Sequence, residues 1–138
     1  MDAGRKLGFR VVLLIFLVCA ATALNLYNRY PQRNGFTRIS MERAEEMINS
    51  GEDLIIVDVR DLKEYSLGHI PGAINIPLES IGSERPDELP DKGSMILVYC
   101  RTGIRSMKVC RTLAALGYTN VIDIGGIFMW TGDKETGI

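Results

Sequence analysis

The stretch VYCRTGIRS, Val98 to Ser106, places a cysteine at the end of an apolar run with Arg101 and Arg105 close behind it. A cysteine attacks as the thiolate, and cationic neighbours or a helix N-terminus make the thiolate available near neutral pH. If the strand ending at Cys100 turns directly into a helix, its sulfur lies over that helix's first free N–H groups. These groups, the helix dipole and the two arginines together form a nest for negative charge. Gly103 lets the chain turn there without a Cβ clash. The ordinary alternative for a cysteine after an apolar strand is a buried structural thiol. The flanking Arg, Thr and Gly fit a poised thiolate better.

Other residues could do chemistry. Cys110 falls on the apolar face of the following helical pattern and reads as a small core residue. A helix between it and Cys100 would keep their α-carbons beyond the roughly 7 Å that a disulfide spans. His69, the one histidine, sits among turn residues in GHIPGA, and no third orienting residue is identifiable, so it reads as a loop brace. Asp58 and Arg60 follow an apolar strand and support the site by hydrogen bonding and ion pairing, with Glu64 as the partner expected for Arg60 from helical spacing. Thr102 could offer its hydroxyl to the sulfur or cap the next helix. Tyr99 and Trp130 read as aromatics that cover the core.

These residues need elements to hold them. FTRIS alternates like a short edge strand, and Ser40 then caps a helix in which Ala44, Met47 and Ile48 share a face, ending at Gly51. LIIVDV and MILVY are continuous apolar runs, as strands covered on both faces require. Asp61 to Leu67 fits one short helix stopped at Gly68. GHIPGAINIP is a tight loop entering a short strand, and LESIGSERPDELPDKGS is broken by Pro and reads as half helical. From Ser106 onward, Met107, Val109, Cys110, Leu113 and Ala114 recur at helical spacing until Gly117, and NVIDIGG closes with another buried strand. Strands alternating with helices give an α/β fold: an open parallel sheet flanked by helices on both faces. Such sheets place their sites at the carboxyl ends of the strands. Cys100, Asp58 and Arg60 all fall on that rim.

The chain has 138 residues, enough for one domain and a short appendage. Its net charge of −1 gives no electrostatic case for a nucleic-acid partner. Near the N-terminus, Arg5, Lys6 and Arg10 precede VVLLIFLVCAATAL, with Ala21 and Ala23 at A-x-A spacing, which is a secretory signal pattern. That apolar run is shorter than the roughly 20 residues of a spanning helix, so cleavage after Ala23 is expected, with membrane attachment through residues 7–27 as the alternative. Both readings put the domain on the exported side, in a bacterial periplasm or at the outer side of the inner membrane. Residues 24–35 read as a tether, and 36–138 as the domain. Without residues 1–23 the charge becomes 13 minus 16, or −3.

The motifs DVR (58–60), Glu64, GHIPGAINIP (68–77), YCRTGIRS (99–106), Gly117-Tyr118 and GGIFMW (125–130) resemble, in this order, the rhodanese or sulfurtransferase family, and its single-domain members in particular. The resemblance implies a rhodanese-like parallel sheet and a double displacement that needs neither metal nor organic cofactor. The Cys100 thiolate takes a sulfane sulfur from a small anionic donor such as thiosulfate and passes it to a thiol or cyanide. It also implies that Arg101, Thr102, Gly103, Ile104 and Arg105 form the substrate-binding cradle. Two other readings remain. One is a non-catalytic rhodanese-like binding module. The other is a phosphate or arsenate hydrolase or reductase, whose loop resembles Cys, five residues, then Arg; here Ser106 occupies that arginine's position.

Overall fold

A computed structural model describes Val12, residues 14–22 and residues 35–138. The chain divides into two units, residues 1–31 and 32–138. In the first, the described residues are helical and exposed. No helix among the described residues is long and apolar enough to cross a membrane, so the expected attachment through residues 7–27 gains no support there. Ala23 and residues 24–34 of the expected tether lie outside the described residues.

In the second unit five strands form one parallel sheet: β1 (Thr37–Arg38), β2 (Ile55–Asp58), β3 (Ile74–Asn75), β4 (Ile96–Cys100) and β5 (Val121–Gly126), in the order β1-β5-β4-β2-β3. The two longest apolar runs, β2 and β4, are interior, and the short strands β1 and β3 form the edges. Three helices complete the unit: α1 (Met41–Asn49), α2 (Leu62–Leu67) and α3 (Ile104–Ala115). Ser40 caps α1 by accepting from the Arg43 N–H, and Asp61 caps α2 by accepting from the Glu64 N–H. The half-helical reading of residues 78–94 is corrected: a single 3-10 turn, Leu78–Ser80, is the helical structure there, because the prolines that follow remove N–H donors.

The two faces of the sheet bury different helices. Ile96, Val98 and Cys100 share a core cluster with Val109, Cys110 and Leu113 of α3. Leu97 and Tyr99, alternating with them, must point to the other face. α1 packs against β5 with Met41, Ala44 and Met47 buried. The flat ladder breaks at the site: Val98 pairs with Asp123 but Tyr99 pairs with Gly125, a bulge at the carboxyl end of β5.

Candidate active site

Cys100 ends β4 and is 1% exposed. The chain then turns at Gly103, whose φ of +96° is open to glycine and strained for other residues, and enters α3 at Ile104. A Cβ at Gly103 would meet Arg38 Nη2 at 3.2 Å and Gly125 Cα at 3.3 Å, so the turn is also tightly packed. This geometry aims the Gly103 N–H at Cys100 Sγ, 3.1 Å away. Burial pushes the thiol pKa up, but the N–H groups of Ser106, Gly103 and Thr102 outweigh it and hold the thiol below its ordinary value. The N–H groups of Thr102, Gly103 and Ser106 thus surround the sulfur, and Ser106 stands one residue beyond the cradle read from the sequence.

In the sequence Ser106 marks the start of a helix and the place where an oxyanion loop would carry its arginine, and Asp123 is one polar residue in an apolar strand. The fold brings them together: the buried Ser106 hydroxyl donates to Asp123 Oδ1 at 2.7 Å and stands 3.8 Å from Cys100 Sγ. The Gly125 N–H, turned inward by the bulge, also donates to Oδ1. Arg38 Nε lies 3.0 Å from Oδ2, a charge contact set off the line of a hydrogen bond. A fully buried polar side chain needs such partners, and here they tie β1, β5 and α3 together directly beneath the cysteine loop.

The arginines divide their work differently from the sequence expectation. Arg60 binds Asp58 through Nε and Nη2, donates to the Gly68 carbonyl at 2.7 Å and stacks over Tyr99, rather than pairing with Glu64. Helical i,i+4 spacing does not apply to it, because Arg60 precedes the Asp61 cap and lies outside the helix. Glu64 instead takes a two-pronged bond from Arg105, at 2.6 and 2.9 Å. That bond is the main reason its carboxyl sits at about 2. Arg105 is held charged first by Glu64 and, less strongly, by Cys100, so its fork faces a carboxylate more than the site. Arg101 is exposed and has no carboxylate partner among the described residues.

Asp58 and Arg60 brace the rim as expected, and Asn75 locks the end of β2 by donating to the carbonyls of Asp58 and Arg60. His69 is likewise a brace, with its ring stacked on Tyr65 and Nδ1 3.0 Å from the Tyr65 carbonyl. Thr102 does not cap α3; Gly103 holds that position without a side-chain bond, which leaves the Thr102 side chain exposed. Ile104 is exposed too. Cys110 is buried against the core, its thiol pushed up by burial, and both it and Cys100 are free.

Two cavities open beside the loop. One of about 400 Å³ is lined by Arg60, Glu64, Leu67, Arg101, Phe128 and Lys134, among others. Arg60 is paired with Asp58 and Glu64 with Arg105, whereas Arg101 and Lys134 have no ion-pair partner among the described residues. The other, of about 570 Å³, includes Thr102, Gly125, Gly126, Phe128 and Met129. Phe128 borders both; a Cβ on Gly126 would meet its ring at 2.7 Å and the Arg101 carbonyl oxygen at 2.6 Å, so this close approach requires glycine. Sequence reading took GGIFMW as part of a family signature and did not assign Phe128 and Met129 to the site.

A parallel α/β domain with a thiolate cradle at the carboxyl end of a central strand is of the rhodanese-like class. The model of the rhodanese-like domain matches residues 40–133, and the chain belongs to that family. The chain is 38% identical over 71 residues to thiosulfate sulfurtransferase PspE of Escherichia coli, covering 51% of this chain and 68% of that protein. It is 38% identical over 98 residues to a Bacillus subtilis protein, YrkF, named as a candidate sulfur carrier. That match covers 70% of this chain but spans about half of the relative, 52% of its length. Among solved structures, a rhodanese with anions from E. coli is 37% identical with a TM-score of 0.56, covering 60% of this chain and 98% of that one. Sulfur transfer of the rhodanese kind is the activity these relatives support.

Proposed function

We propose that this protein carries a sulfane sulfur as a Cys100 persulfide, from a small anionic donor of the thiosulfate kind to a thiol or cyanide acceptor. The carrying observation is the sulfur itself, buried at the end of β4 and facing the N–H groups of Thr102, Gly103 and Ser106. In the first step the thiolate attacks the outer sulfur of thiosulfate. The donor's S–S bond breaks and sulfite leaves with the electron pair. The terminal sulfur of the resulting persulfide keeps a negative charge, and the same N–H groups are placed to stabilise it. In the second step cyanide or a thiolate attacks that terminal sulfur, the new S–S bond breaks, and Cys100 returns as the thiolate. Sulfur changes hands twice and no external oxidant is consumed.

Arg101 and Lys134 in the smaller cavity suit a dianionic donor, and the name of the PspE relative is consistent with thiosulfate. A phosphate or arsenate loop fits less well, since Arg105 is occupied by Glu64 and Ser106, bound to Asp123, stands where such a loop needs its arginine. A retired binding module would have no use for a depressed thiol. The basic residues and apolar run before Ala23 favour a domain delivered to the exported side.

Intact-protein mass spectrometry tests these points together. Protein recovered from the exporting host is expected to lack residues 1–23, and to gain about 32 Da on exposure to thiosulfate or another sulfane donor. The Cys100→Ser protein is expected to stay folded and gain nothing. Sulfur bound equally by both proteins would remove Cys100 as the carrier, and an intact N-terminus would remove cleavage after Ala23.

A further inference from the structure

The larger cavity is unlike the donor side. Its walls combine exposed apolar groups, Phe128 and Met129, with two carboxylates of α1, Glu42 and Glu45. Glu42, in the first turn of α1, has no hydrogen bond or ion pair among the described residues, and Glu45 accepts only the Thr131 hydroxyl there, so neither is paired with a cation. The cations near them are engaged elsewhere: Arg43 pairs with Glu46 and Arg38 with Asp123. Thr102, two residues from the sulfur, forms part of the same wall. Thus two cavities of opposite charge flank the cysteine loop, one at Arg101 and the other at Thr102, and share the Phe128 ring.

Leu67, Ile104, Phe128 and Met129 are between 58% and 74% exposed. Ile104 belongs to the cysteine loop itself, and the other three line one or other cavity. Single exposed apolar side chains are ordinary, but a set gathered around a reaction centre marks a contact surface. Cyanide or a small free thiol would use little of it. A polypeptide carrying the acceptor thiol would cover it.

We propose that the cavity between α1 and the turn after β5 receives the acceptor as a cysteine-bearing polypeptide segment with a lysine or arginine next to the cysteine. The basic side chain lies against Glu42 and Glu45, the apolar rim covers the flanking chain, and the thiol reaches the sulfur from the Thr102 side. The inference rests on the persulfide reading above. In the transfer itself the segment's thiolate attacks the terminal sulfur of the Cys100 persulfide, the Cys100 S–S bond breaks with Cys100 leaving as thiolate, and the segment becomes the persulfide.

Two short peptides decide it, identical except that the cysteine is flanked by lysines in one and glutamates in the other. On protein whose persulfide has been verified by mass, the lysine peptide is expected to discharge the sulfur about tenfold faster at low salt, with the gap shrinking as salt rises. Lysines also raise the intrinsic reactivity of a neighbouring thiol, so the decisive comparison is a Glu42→Gln, Glu45→Gln protein, in which most of the gap should vanish. Equal rates, or a gap unchanged in the double variant, overturns the docking site and leaves the sulfurtransferase reading standing. The same peptides with Ser for Cys give a separate arm. If no sulfane donor loads Cys100, the sulfurtransferase reading falls, and salt-sensitive binding of the lysine–serine peptide, lost in the double variant, is then what supports the docking site. Its absence overturns it.

Discussion

At Cys100 two effects oppose each other. Burial alone would raise the thiol pKa, whereas three N–H dipoles favour the thiolate, and the dipoles prevail. The ultraviolet absorbance of the thiolate, taken as the difference between the native protein and Cys100→Ser over a pH series, should therefore rise at a lower pH when the protein is folded than when it is unfolded in urea. The linkage has a definite sign. A thiol whose folded pKa is depressed adds stability that is fully present above the unfolded pKa and fades as pH falls through the folded one. Gly103→Ala is expected to move the folded transition upward, because a left-handed turn costs a non-glycine residue about 1–2 kcal/mol and the new Cβ displaces the N–H that faces the sulfur. A transition unchanged in Gly103→Ala would mean that the other donors suffice.

The Glu64–Arg105 bond joins the first turn of α2 to the first turn of α3, bridging 41 positions of sequence. Both side chains are partly exposed, so this ion pair resembles a surface pair more than a buried one, and Glu64→Gln should cost about 1 kcal/mol at neutral pH. Because the folded Glu64 pKa lies at about 2, against 4.5 for the free group, the contribution is present above 4.5 and disappears as pH falls toward 2. Urea unfolding of both proteins across that range should show the two stabilities converging, and a constant difference would assign the loss to packing. Features of this length scale are where sequence reading stops. Apolar runs and caps are local, so β2, β4, β5, the Ser40 cap and the strand–loop–helix around Cys100 were all readable from spacing. The partner of Glu64, the Ser106–Asp123 bond and the bulge that turns Gly125 inward depend on strand register and helix placement across the fold. The Arg60 misassignment has the same origin: i,i+4 spacing acquires meaning only once the helix boundary is known, and Asp61 sets that boundary one residue after Arg60.

On the scale of the molecule, net charge and local charge pull a dianionic donor in opposite directions. The chain carries −1, and −3 once residues 1–23 are set aside, spread over the surface. Arg101 and Lys134 are two unmatched positive charges at one cavity. The −3 already counts these two cations, so the rest of the domain carries −5. In water a pair of unit charges interacts by about 0.7 kcal/mol at ~6 Å but only about 0.3 kcal/mol at ~15 Å, so two near cations and five distant net anions nearly balance. Salt tips that balance toward the cations, since at about 0.1 M screening has a length of only ~10 Å and removes the distant repulsion first. The rate of Cys100 loading by thiosulfate should therefore fall as ionic strength rises from ~0.1 M toward 1 M, and Arg101→Gln with Lys134→Gln should lower both the rate and its salt dependence. A rate that instead climbs steadily with salt would mean that the overall negative field dominates and that the donor enters by another path. Loading by an uncharged sulfane donor supplies the reference: it should change little with salt in either protein, because no long-range charge pair is then screened.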